Sequence, residues 1–213
     1  MRALNLKTLM LRMSVVVEKA STCDLEFADS TIQSDKALNT SNNFFEIFSI
    51  PVAWDVDIEG LKVRYRALQK EFHPDRYAAS SDAQKRLAVQ TAAVINQAFD
   101  TLTSPLSRAQ YLLERKGISA DQESYVTTDG VFLMQQIELR EALGGVTRSD
   151  KPWLALERLR STVESTYQNL QNEFQQFYSA ETLDSAFNTV AKMQFFNKLL
   201  HELEQLEYEL EDL

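Results

Sequence analysis

Pro74 interrupts an otherwise helical stretch, and that interruption forces a reversal of the chain. Upstream of it Leu61, Tyr65, Leu68 and Phe72 recur at spacings of four, three and four, which aligns one apolar helix face. Downstream, Leu87, Val94, Ile95, Ala98, Phe99 and Leu102 define a second such face. A proline denies the residue before it a comfortable helical conformation, so the first helix should end near His73. Two amphipathic helices joined by so short a break bury their faces most simply by folding back on each other. His73-Pro74-Asp75 then sits at the exposed tip of an antiparallel helical hairpin.

The rest of the chain repeats the helical theme. Only 5 Gly and 4 Pro occur among 213 residues, and strand-like alternation is nearly absent, so the expected fold class is all-α. The formal net charge of −9 argues against nucleic acid as the main partner. A single cysteine, Cys23, excludes an intrachain disulfide and any multi-cysteine zinc site. No apolar run is long enough to span a bilayer, so no membrane partner is expected. The two histidines, His73 and His201, lack further ligands at useful spacing, and neither a metal nor a cofactor is expected. His201 lies in an acidic helical segment and reads as an ordinary surface residue.

Four segments follow. Residues 1–42 begin basic and acid-poor, with Arg2, Lys7, Arg12 and Lys19, and turn polar from Ser21. Arg12 interrupts the early apolar stretch, which disfavours a signal peptide; a mitochondrial transit peptide is the alternative to a flexible extension. Residues 43–116 form the hairpin domain. It contains a short helix at Phe44 to Phe48, a main helix from Ile58 with Asp57 as N-cap, and a last helix from Leu106 to Arg115 ended by Gly117. Residues 117–128 are a polar linker. Residues 129–213 carry three helical segments, at about 129–143, 152–178 and 181–211, broken by Gly144-Gly145 and by Ser179-Ala180. Leu156, Leu159, Val163, Tyr167, Leu170, Phe174 and Phe177 form one apolar stripe, and Phe196, Leu199, Leu203, Leu206 and Leu210 form another. A three-helix bundle accounts for both.

Two surfaces stand out. The outward face of the main hairpin helix carries Lys62, Arg64, Arg66 and Lys70. Such charges usually make a solvated face, but beside the tip they could steer the domain toward an acidic groove. The second surface lies in the segment from Val131 to Glu141. Phe132, Leu139 and Leu143 share the face suited to the bundle core, while Leu133, Met134 and Ile137 fall on the far side with Glu138 and Glu141. A helix apolar on two sides is either buried twice, here against the hairpin domain, or offers one side to a partner. Phe195 precedes the seam residue Phe196 by about a hundred degrees of helical rotation and stands beside the seam, where exposure is expected.

Residues 43–115 resemble the J domain, the module with which DnaJ-type co-chaperones engage DnaK-class ATPases. The resemblance rests on Asn43 to Pro51, on Lys70-Glu-Phe-His-Pro-Asp-Arg-Tyr77, on Ile95 to Leu102 and on Ser104 to Leu112. Arg76 stands where that family usually has lysine, which keeps the positive charge. With the Phe132-Leu-Met-Gln-Gln-Ile-Glu-Leu-Arg-Glu141 helix and the acidic bundle added, residues 43–213 resemble the HscB family of iron–sulfur co-chaperones. That resemblance implies an N-terminal J domain followed by a C-terminal three-helix bundle, in a protein that performs no bond chemistry itself. It implies that His73, Pro74, Asp75 and Arg76, with Lys62, Arg66 and Lys70, engage an HscA-type chaperone. It implies that Leu133, Met134, Ile137, Glu138, Glu141 and Phe195 hold an IscU-type scaffold. Ile137 replaces a frequent leucine, and Thr128 stands where the family often has arginine. Without an N-terminal cysteine cluster the chain resembles the bacterial branch, for which a cytoplasmic location is expected.

The implied mechanism is bivalent: the patch tethers the scaffold, and the tip favours the hydrolysis-competent state of the chaperone. Two other readings remain open from sequence. The chain could be a general J-domain adaptor with another client, although it lacks a Gly/Phe-rich segment and zinc-finger cysteines. It could also be a small helical hydrolase using His73 and Asp75, although it offers no nucleophile, phosphate loop or metal set.

Overall fold

The computed structural model describes residues 43–119 and 129–212. The extension 1–42 and most of the polar linker lie outside the described residues. Seven α-helices account for the regular structure among the described residues: α1 (Phe44–Ile47), α2 (Ile58–Phe72), α3 (Asp82–Thr103), α4 (Pro105–Glu114), α5 (Gly130–Gly145), α6 (Pro152–Ser179) and α7 (Leu183–Glu211). Short 3-10 turns follow α2 at Pro74–Tyr77 and α5 at Val146–Arg148.

Local chemistry sets most of the helix starts. Asn43 caps α1 by accepting from the Glu46 amide at 3.0 Å. Asp57 caps α2 by accepting from the Gly60 amide at 3.0 Å. Gly60 leaves room for that cap, since a Cβ there would push the Asp57 carboxylate aside. Ser81 and Gln84 close a capping box on α3. Ser104 caps α4, with Pro105 at its first position, where a missing amide hydrogen does no harm. The chain leaves α4 through Gly117 at φ +84°, with the Ile118 amide donating to the Leu113 carbonyl at 3.0 Å. The α6–α7 turn uses Glu181 in the same left-handed role, at φ +56°.

The hairpin forms as its periodicities require. Leu61 of α2 is buried, with Tyr65, Leu68 and Phe72 packed half-buried below it. Tyr65 stacks on Phe99 of α3 at 3.9 Å between ring centroids. The inward line of α3 is Ala88, Thr91, Ile95, Ala98 and Leu102. Leu87, assigned to that face from sequence, is instead 48% exposed. One residue is about 100° of rotation, and the small Ala88 takes the inward place. The glycine break is also corrected: Gly144 and Gly145 are both helical and close α5, and the chain turns only at Val146–Arg148. In the bundle, α6 and α7 pair along their length, with Val163, Phe174, Met193, Phe196, Leu199 and Leu203 fully buried. The buried side chains of the hairpin domain and of the bundle form one continuous apolar cluster.

Candidate functional site

The tip is a self-contained turn. His73 is extended (φ −62°, ψ 128°), as its position before Pro74 requires. Its Nδ1 accepts from the Asp75 amide at 3.3 Å, and the Asp75 carboxylate stands 3.6 Å from the same nitrogen. The Arg76 amide donates to the His73 carbonyl at 3.0 Å. The Asp75 side chain is 90% exposed and that of His73 58% exposed. Arg76 reaches back to donate to the Lys70 carbonyl at 3.2 Å, closing the frayed end of α2. His73, Pro74, Asp75 and Arg76 are thus brought together at one exposed point.

Lys62, Arg66 and Lys70 recur every fourth residue along α2 and lead toward that point. Lys62 pairs with Glu59 at 2.7 Å on the surface. Arg64 does not belong to this stripe, contrary to the sequence reading. It bends away to donate to the Phe48 carbonyl at 2.6 Å and the Ser49 carbonyl at 2.9 Å. Those contacts hold Ser49 in the left-handed region, at φ +52°, where the chain leaves α1.

The second surface lies on α5. Asp129 caps this helix through the Phe132 amide at 3.1 Å and pairs with Lys192 of α7 at 2.8 Å. The Lys192 hydrogen bond, helped by the Phe132 amide, holds the Asp129 carboxyl below the usual range. Phe132 and Leu139 are buried, as expected. Leu133 is 41%, Met134 57% and Ile137 52% exposed. The alternative in which Leu133 or Ile137 is buried under the hairpin domain is therefore not what the chain adopts. Glu138 and Glu141 are exposed beside them. Val131, the most exposed of the group at 83%, extends the patch. It sits three residues before Met134, and that spacing was the available signal. Phe195 needs correction: it is half-buried, edge-on to Phe132 at 5.8 Å, with the Arg140 guanidinium 5.6 Å above its ring. Arg140 is held in turn by Glu202. Its ring therefore borders the patch and its body packs beneath it.

Sequence reasoning missed a third cluster, at the junction of hairpin domain and bundle. Arg108 of α4 is only 7% exposed, and its Nη1 donates to the Leu102 carbonyl at 2.8 Å. Its guanidinium lies 4.7 Å from the centroid of Trp54, which packs on Phe174 of α6 at 4.8 Å. Arg108 Nε is buried without a hydrogen bond, and the buried Tyr167 hydroxyl is approached by the Leu106 backbone. Desolvation lowers the Arg108 pKa, and the nearby Asp55 offsets this in part. Burial pushes the Tyr167 hydroxyl up to about 12. Asp55 accepts from Gln175 of α6 at 2.6 Å. Nothing in a lone arginine of an amphipathic helix marks it for burial, because most such residues lie on the solvated face.

Residues 128–204 match the family described as the HSCB C-terminal oligomerisation domain. The chain is 39% identical over 168 residues to the co-chaperone protein HscB homolog of Shewanella loihica, covering 78% of this chain and 97% of that protein. It superimposes on chaperone HscB from Vibrio cholerae with a TM-score of 0.72 at 37% identity, covering 79% of this chain and 99% of the other. The human co-chaperone HscB shares the fold, with a TM-score of 0.77 at 22% identity over 87% of this chain and 92% of its own. An N-terminal J domain, a C-terminal helical bundle and nearly the full length of its relatives place this chain in the HscB family of co-chaperones.

Proposed function

We propose that this protein is a co-chaperone of iron–sulfur cluster assembly that stimulates the ATPase of an HscA-type chaperone and delivers an IscU-type scaffold to it. The observation that carries the reading is the pairing, in one HscB-family chain, of an exposed His73-Pro74-Asp75 tip with a separate exposed apolar patch on α5. Lys62, Arg66 and Lys70 attract the acidic chaperone and set the register of the tip. Leu133, Met134 and Ile137 provide apolar area for the scaffold, with Glu138 and Glu141 as a charged rim and Phe195 at the border. Holding both partners raises the local concentration of scaffold at the chaperone's substrate groove. The chain's own side chains break no bond; ATP is cleaved in the chaperone.

The test is the steady-state ATPase of an HscA-type chaperone with this protein, with the scaffold, and with both. Synergy from both is expected, together with its loss in Asp75→Asn. Stimulation that ignores the scaffold would instead favour a general J-domain adaptor with another client.

A further inference from the structure

The junction holds a buried cation that neither proposed binding surface uses. Arg108 links the end of α3, the loop that leads into α2, and the bundle. Its Nη1 binds the Leu102 carbonyl near the end of α3. Its guanidinium carbon lies over the ring of Trp54, three residues before the Asp57 cap of α2, the helix that ends at the tip. It also faces Asp55 and Tyr167, the latter on α6 of the bundle. An apolar side chain of equal length would fill this space without leaving Nε unpartnered. The guanidinium supplies what such a side chain cannot, a link from the Leu102 carbonyl at the end of α3 to the Trp54 ring. We propose that Arg108 is a positioning residue. By locking Trp54 against Phe174, it fixes the direction of the His73-Pro74-Asp75 tip relative to the α5 patch. The Asp55–Gln175 hydrogen bond and the Lys116–Glu181 ion pair at 3.2 Å tie the same junction at its surface. A bivalent adaptor needs this property, because synergy is lost when geometry forbids engagement of both partners at once.

The experiment uses the full chain with Cys23→Ser and spin labels at the exposed positions Lys85 and Glu164, on α3 and α6. Pulsed electron resonance gives the distance distribution across the junction. The parent is expected to show one narrow distribution, and Arg108→Met one about twofold broader, because the apolar contacts that remain across the junction are non-directional and let the domains rock. The melting temperature of Arg108→Met should fall, because the Leu102 carbonyl at the end of α3 loses its buried donor. Arg108→Lys keeps the charge but cannot both reach the Leu102 carbonyl and cover the Trp54 ring; it should broaden the distribution as well, and it carries the test should the methionine variant not fold. A parental width in either folded variant would overturn the proposal, as would a lowered melting temperature with unchanged width, which marks a purely structural role. In the ATPase assay, Arg108→Met should lose synergy several-fold while keeping its scaffold affinity and its own stimulation of the chaperone. This last readout rests on the co-chaperone reading. The distance measurement does not, so failure of either idea is visible separately.

Discussion

The Asp75 carboxylate contributes little to the turn it sits in, since the bond to His73 comes from the backbone amide and the side chain points to solvent. Asp75→Asn should therefore leave the circular dichroism and melting temperature unchanged while abolishing chaperone stimulation. Tyr167 behaves oppositely, with a hydroxyl that matters to stability and to neither surface. Its pKa rises from 10.0 to about 12 on folding, so between those values the unfolded chain releases a proton that the folded chain keeps. Stability is then fully present below pH 10 and falls as pH rises toward 12, by at most ~3 kcal/mol. Tyr167→Phe should flatten that alkaline limb in urea titrations. At pH 7 its effect should stay within about 1 kcal/mol, because it gives up one backbone contact of the buried hydroxyl, with Leu106. The tip was legible because proline and its neighbours act locally. Arg108, Tyr167 and Arg64 were not, because their roles come from partners 6 to 59 positions away, at Leu102, Phe48 and Arg108 itself.

At the scale of elements, periodicity located the helices well and their phase less well. The α2 and α7 faces came out as read, since four or five large side chains at three/four spacing leave one consistent orientation. Leu87 was misplaced because an alanine can occupy the inward line unnoticed. Gly144-Gly145 stayed helical because the α5 core residues Phe132 and Leu139 hold the helix against its intrinsic preference. Leu199 is fully buried in the α6–α7 seam, and Leu199→Ala should cost about 2–5 kcal/mol in denaturant unfolding. The α5 patch should answer in the reverse sense. Leu133→Ala with Ile137→Ala trims side chains that are about half exposed, so the pair should cost less stability than Leu199→Ala alone while scaffold affinity, read by calorimetry, drops at least tenfold. Phe195→Ala is the poorer probe, because its ring also supports Phe132.

Across the whole molecule, the J domain and bundle share one apolar cluster and do not hang from a free linker. Heating should then give a single calorimetric transition for residues 43–213, with matching calorimetric and van't Hoff enthalpies, where independent modules would give two. The sequence showed two periodic blocks separated by polar residues, and nothing local in it reveals that Trp54 and Phe174 meet. The open α5 face has a further, colloidal consequence. A chain that leaves Val131, Met134 and Ile137 uncovered between encounters carries an adhesive spot, and its net charge of −9 keeps copies apart. Near the isoelectric point of about 4.8 that repulsion vanishes, so light scattering should rise there, and rise less when the spot is trimmed by Leu133→Ala and Ile137→Ala. Acidity of the surface would then be what lets the protein keep a sticky face in readiness at high concentration.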